Sequence, residues 1–108
     1  IVYHIFDNTE KESSFNLIPL ILDGEKFSKV KKLMSNEIKS RDDAYELLDS
    51  LENTYRLILI GEDKKRENLF GREELIRAIE LIEETRRDLV QNMNYSYAIK
   101  NLVLKLEG

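Results

Sequence analysis

The chain has 108 residues, of which 42% are hydrophobic and 35% charged, with a net charge of −4 and no cysteine. That length allows one domain with one core. The composition excludes a disordered chain, the lack of cysteine excludes disulfide staples and thiolate metal sites, and the acidic balance disfavours a grip on nucleic acid phosphates.

One proline and four glycines are few for a sheet-and-turn protein. Together with the Leu, Ile, Glu and Lys content they predict an all-α fold: a single helical-bundle domain of about five helices spanning the whole chain. The longest strongly apolar run, Leu17 to Leu22, is far short of the ~20 residues that cross a bilayer. Ile1 to Phe6 lacks the basic flank and the length of a signal peptide. The chain does not begin with methionine, and it reads as a piece of a longer one.

In chain order, Ile1 to Phe6 is apolar and reads as the end of a helix, and Asp7 to Ser14 reads as a turn. Phe15 to Leu22 is ambiguous, because Pro19 disfavours a helix interior; a short helix is the reading adopted. Asp23 is the expected cap of a helix from Glu25 to Met34, with Phe27, Val30, Leu33 and Met34 on one side. From Ser40 to Ile60 the apolar residues Ala44, Leu47, Leu48, Leu51, Tyr55, Ile58 and Leu59 fall on one helical face. Ser40 suits the N-cap, Asp42 and Asp43 suit the positive helix start, and Gly61 suits the C-terminal cap.

Glu62 to Gly71 reads as a charged loop. A second long helix is predicted from Arg72 to Met93, with Leu75, Ala78, Ile79, Ile82, Leu89, Val90 and Met93 as its seam. Glu73 with Arg77 and Glu83 with Arg87 have the spacing of i,i+4 pairs. Asn92 lies where that helix should stop, and asparagine tolerates the left-handed conformation found there. Asn94 lies where the next helix should start, as its N-cap. The two asparagines thus predict a tight corner, after which Tyr95 to Leu106 folds back through Tyr95, Ala98, Ile99, Leu102, Val103 and Leu106.

Little chemistry is visible. There is no phosphate-cradling glycine loop and no GxSxG element. His4 is the only histidine and has no ligand partner at metal spacing. The Glu73-Glu74 and Glu83-Glu84 pairs lack the Glu-x-x-His element of carboxylate metal sites in bundles, so a solvated face explains them better. The same holds for Lys26, Lys29, Lys31 and Lys32, the only basic cluster. The expectation is therefore no catalytic residue, no metal and no cofactor. Arg86 is the anomaly: at 100° per residue it falls about 20° from Leu75, inside the apolar stripe. Either it snorkels along the core's edge, or it pairs with a carboxylate on another helix or another subunit.

The stretch LIRAIELIEETRRDLVQNMNYSYAIKNLVLKLEG resembles the carboxyl end of the delta-prime subunits of bacterial DNA polymerase III clamp loaders. There a helix of the type I-E-x-x-R-x-x-L precedes N-x-N-P, A-L-E and L-L-L-K-L. The matching residues here are Ile82-Glu83, Arg86 or Arg87, Leu89, Asn92-Met93-Asn94, Ala98-Ile99, and Leu102 to Leu106. Tyr55-Arg56-Leu57-Ile58-Leu59 is similar to the preceding helix of that family. The resemblance covers Ser40 to Glu107. It departs at Tyr95, where the family has proline, and at Lys100, where it has glutamate.

The resemblance implies a C-terminal collar domain. Its role would be to hold a pentamer that loads the sliding clamp onto primed DNA, in the cytoplasm, without an active site of its own. Its partners would be the gamma/tau and delta type subunits, with no direct nucleic acid, membrane or small-molecule contact. The parent complex would be a DNA-directed DNA polymerase, a nucleotidyltransferase. Related subunits of the same complex, or a free-standing helical adaptor with a groove for a partner helix, are the alternatives. Apolar residues outside the core stripes mark the candidate subunit interface: Tyr97 and Leu104 on the last helix, and Leu57 and Ile60 on the Ser40 to Ile60 helix, together with Arg86. The rival for the four apolar residues is that another helix, such as Phe15 to Leu22, covers them.

Overall fold

The structure is a computed structural model and describes residues 15–64, 66 and 68–107; the readings of Ile1 to Phe6, Asp7 to Ser14 and His4 lie outside them. Among the described residues there are five helices and no strand: α1 Leu17–Leu22, α2 Phe27–Glu37, α3 Arg41–Leu59, α4 Arg72–Val90 and α5 Tyr95–Glu107. The all-α bundle expected from the composition is the fold observed.

The pairing is set by the apolar stripes. α3 packs most extensively on α4, α4 on α5, and α1 with α2 closes the other side of α5. Ala44, Leu47, Leu48, Leu51, Tyr55 and Ile58 of α3 meet Leu75, Ala78, Leu81, Ile82 and Leu89 of α4 and Ala98, Ile99, Leu102 and Val103 of α5 in one buried cluster. Phe15, Leu17, Ile18 and Leu22 join it from the α1 side, and Val30 and Met34 from α2. Each fully buried Leu or Ile contributes roughly 1.5–3 kcal/mol relative to an exposed one, so this cluster, rather than helix propensity, holds the bundle.

Three helices end in the same way. At α1, Gly24 takes φ 71° and donates to the Ile21 carbonyl at 3.2 Å, while the Glu25 amide reaches Leu20 at 3.1 Å. At α3, Gly61 takes φ 79°, and its amide and that of Glu62 close on Ile58 and Leu57 at 3.1 and 2.9 Å. At α4, Asn92 takes φ 68°, and its amide and that of Met93 close on Leu89 and Asp88 at 3.1 and 3.0 Å. Each is a Schellman closure, in which a left-handed residue turns two amides back onto carbonyls the helix would otherwise leave open.

The helix starts are less uniform. Ser40 Oγ accepts from the Asp43 amide at 3.1 Å, as expected of an N-cap, and Asp43 Oδ2 accepts from the Lys39 amide at 3.0 Å. α4 starts at Gly71, which has no side chain to cap with; Glu74 Oε1 reaches back to the Gly71 amide at 2.9 Å. At α1, the carboxylate of Glu37 accepts from the Asn16 and Leu17 amides at 2.9 and 3.0 Å. A residue at the far end of α2 thus caps a helix some 20 positions earlier.

Three sequence expectations need correction: the start of α2, the end and seam of α4, and the ion pairs along α4. α2 starts at Phe27, with Lys26 at the N-cap and no side-chain cap, and runs to Glu37; Asp23 is the C-cap of α1 instead. The reason is the Schellman closure at Gly24, which commits Asp23 to the preceding helix. α4 ends at Val90, not Met93, because the left-handed turn at Asn92 stops it. Val90 is therefore 68% exposed and outside the seam, while Leu81 and Thr85, absent from the predicted seam, are buried. The expected Glu73–Arg77 and Glu83–Arg87 pairs do not form among the described residues. Arg77 instead faces Glu80 and Glu84 at 3.8 and 3.7 Å, and Glu83 faces Arg56 of α3 at 3.5 Å.

Candidate subunit-interface surface

The corner between α4 and α5 is built from three residues. Asn92 supplies the left-handed residue. Asn94 caps α5, with its Oδ1 accepting from the Tyr97 amide at 3.1 Å, and Tyr95 is the first helical residue, as the sequence predicts. The third is Arg41, which sequence reasoning missed. Its guanidinium donates to the carbonyls of Leu89 and Met93, the latter at 3.2 Å. The start of α3 is thereby tied to the end of α4. A cation at the first position of a helix opposes the helix dipole, whereas a cation at a C-terminus is favoured. Arg41 occupies both positions at once, and its misfit at the start of α3 is the signal the sequence carried.

Arg86 pairs within the chain. Its Nη1 donates to Glu52 Oε1 at 2.9 Å and its Nη2 to Asp49 Oδ1 at 2.7 Å, both on α3. Glu52 also accepts from Arg56, so one carboxylate, buried to 7% exposure, is held by two guanidinium groups. Burial works against the Arg86 charge, but the hydrogen bonds and charges of Glu52 and Asp49 outweigh it and hold Arg86 above its ordinary range. Glu52 and Asp49 fix the crossing of α3 and α4 at its middle, and a buried carboxylate without such partners would cost several kcal/mol.

The four apolar candidates all lie on the surface: Tyr97 is 61% exposed, Leu104 49%, Leu57 37% and Ile60 68%. No described helix, α1 included, covers them. They do not form one patch. Tyr97 and Leu104, seven residues apart, share the outer face of α5. Ile60 sits across the α3–α4 seam, where Leu59, Ile60, Ile76 and Ile79 line an open apolar groove with Arg56 and Glu80 at its edges. Leu57 does not line it. Ile76 is a further exposed apolar residue that the sequence reading did not single out, because its neighbours in sequence satisfy the helix stripe without it.

On the other flank of α4, Tyr55, Phe70, Ala78, Leu81 and Leu106 form the floor of a cavity of about 360 Å³ rimmed by Glu73, Glu74, Arg77 and Lys105. The Tyr55 and Phe70 rings meet edge to face at 5.9 Å, and burial pushes the Tyr55 hydroxyl up to about 12. Among the described residues, no group of three or more His, Asp or Glu side chains is placed to hold a metal ion. None of the described helices is long and apolar enough to cross a membrane.

Compared with known proteins, the chain matches no protein-family model, no curated protein and no solved structure.

Proposed function

We propose that this chain is an assembly domain of the clamp-loader collar type, from a delta-prime-like subunit of a bacterial replicative polymerase. In this reading it holds neighbouring subunits in register and does no chemistry of its own. It acts in the cytoplasm, and the nucleotide and DNA steps belong to other parts of the complex. One observation carries the reading: the Asn92-Met93-Asn94 corner. The two asparagines at the resemblance's most specific element do two separate jobs here, a left-handed stop and an N-cap. Tyr95 replaces the family's proline without loss of the corner, since the first helical position asks only for a compatible φ and makes no use of its own amide. An all-helical bundle with the apolar side chains of Tyr97 and Leu104 left in solvent is also what an assembly element needs.

The test is reconstitution. Residues 1–108 are mixed with gamma/tau and delta type clamp-loader subunits, and complex formation is read by gel filtration. The expected result is a stable complex, which Tyr97→Ser combined with Leu104→Ser weakens at least tenfold while the helical signal and melting curve stay as in the parent. No complex with any clamp-loader subunit refutes the assembly role. A double variant that loses several kcal/mol of stability would show that these two residues serve the fold instead.

A further inference from the structure

The end of α3, the start of α4 and the end of α5 meet around the cavity of about 360 Å³. Its floor is apolar and partly aromatic, with the Tyr55 and Phe70 rings edge to face, Leu81 and Leu106 beside them, and Ala78 as the smallest side chain. Tyr55 is only 3% exposed, yet its hydroxyl has no hydrogen-bond partner among the described residues. Among those residues, no side-chain oxygen is both sealed from solvent and unpaired, so the hydroxyl opens into the cavity that its residue lines. Burial raises it, with no neighbouring charge or hydrogen bond contributing, so it stands in the cavity as a neutral donor. A buried phenol ordinarily finds a partner in the protein. Here the partner must come from outside.

The rim says what charge that partner carries. Two carboxylates, Glu73 and Glu74, stand there with two cations, Arg77 and Lys105. Glu74 is engaged by the Gly71 amide, and Arg77 faces Glu80 and Glu84. Neither sign dominates the mouth, so a charged ligand loses to one pair what it gains from the other. The volume lies at the lower end of the range that small ligands fill, and apolar walls with a single orienting polar group are the usual lining of such sites. We propose that this cavity binds a small uncharged aromatic molecule that carries an oxygen acceptor, its ring on the apolar floor and its oxygen on the Tyr55 hydroxyl. The proposal stands apart from the collar reading, which asks for no small molecule.

NMR titration of the isotope-labelled 108-residue chain with p-cresol tests it, with toluene, benzoate and benzylamine as comparisons. Toluene matches p-cresol in ring and size but lacks the oxygen. The expected result is saturable shifts at Phe70, Ala78 and Leu81 with p-cresol, at a dissociation constant of about 1 mM or tighter, within reach of so small a molecule. Toluene should bind about tenfold more weakly, because it leaves the hydroxyl unpaired. Both charged probes should also bind more weakly than p-cresol. Tyr55→Phe keeps the ring and deletes a hydroxyl that the fold leaves unpaired. Its melting curve should stay near that of the parent, and p-cresol should then bind no better than toluene. An unfolded Tyr55→Phe variant would show that the hydroxyl serves the fold, which overturns the proposal. So does a parent chain without saturable shifts, or with shifts centred on Ile60 and Ile76. Equal binding of toluene and p-cresol to the parent, tighter binding of a charged probe, or p-cresol held as well by Tyr55→Phe as by the parent overturns it too.

Discussion

The two junctions of the long helices make opposite use of similar beginnings. α3 and α4 both end in a Schellman closure, one on Gly61 and the other on Asn92, with φ 79° and 68°. After Asn92 the chain needs only Met93 and Asn94 before the next helix starts. After Gly61 it runs through a charged loop to Gly71, with Asp63 pairing to Arg66 at 3.1 Å along the way. The short junction is held by polar groups at helix ends: Asn94 on the Tyr97 amide and Arg41 on two carbonyls. The long one is held by a ring, with Phe70 set edge to face against the buried Tyr55. The tight corner adds hydrogen bonds at both helix ends to the partly buried side chain of Met93, which packs against the core. A long loop can return any side chain to the core, and one aromatic pair suffices.

The largest effect should come from removing the anchor of the long junction. Tyr55 is buried in α3 and touches the core as well as Phe70. Tyr55→Ala is expected to cost about 3–5 kcal/mol, the usual range for deleting a large buried aromatic ring. Chemical denaturation checks it. A loss below about 1 kcal/mol would mean that the Phe70 contact and the core around Tyr55 collapse at little cost, and the contrast between the junctions would fail.

Arg41→Ala attacks the short junction from outside its own residues. It removes two charge-assisted hydrogen bonds to the carbonyls of Leu89 and Met93, so a loss of about 2 kcal/mol is expected. Arg41→Lys should recover only part of it, because an ammonium group cannot reach two separate carbonyls with a planar fork. Full recovery by lysine in a thermal melt would reduce the role of Arg41 to its charge near the end of α4.

These two junctions also explain what was legible in the sequence. The short corner could be read because its chemistry is local: asparagine suits a left-handed stop, asparagine suits an N-cap, and both act within three residues. The stripes of α3 and α5 were legible for the same reason, since one periodicity gives both helix and buried face. The partners of Arg41, Glu37 and Phe70 were not legible, although the misfit of Arg41 at the start of α3 was. Each acts on a residue 15 or more positions away, and its partner is set by how the helices pack. Arg86 lay between these cases: its place in an apolar stripe showed that it needs a partner, but not that Asp49 and Glu52 supply it. Among the candidate interface residues, helical phase placed Tyr97, Leu104, Leu57 and Ile60 outside the core stripes, but whether another helix covers them was left open until the packing showed them exposed. The groove with Ile76 did not, because it depends on the relative placement of α3 and α4.

Within the short corner the two asparagines should separate cleanly. Asn94→Ala removes the cap on the Tyr97 amide and is expected to cost about 1 kcal/mol, the usual loss for an N-cap. Asn94→Ser or Asn94→Asp should restore most of it, since both side chains offer an acceptor at the same reach. Equal denaturant midpoints for Asn94→Ala and the parent would show that the cap bond contributes nothing to the corner.

The smallest effect should be at Asn92, and its sign discriminates between two ways of making a corner. Asn92 is exposed and its side chain is not needed by the closure, which is made by the amides of Asn92 and Met93. If its conformation is all that matters, Asn92→Gly should leave stability within about 0.5 kcal/mol. Glycine accepts the left-handed region more readily, but it also loses more freedom on folding, and the two effects nearly cancel. Asn92→Ala should cost about 1 kcal/mol, because its Cβ crowds the carbonyl there and no short polar group compensates. The order expected in denaturant melts is therefore parent and Asn92→Gly together, with Asn92→Ala below them. If glycine falls to the level of alanine, the asparagine amide itself stabilises the turn. The short corner would then depend on side-chain hydrogen bonds at each of its three key residues, whereas at Gly61 backbone conformation alone closes the helix.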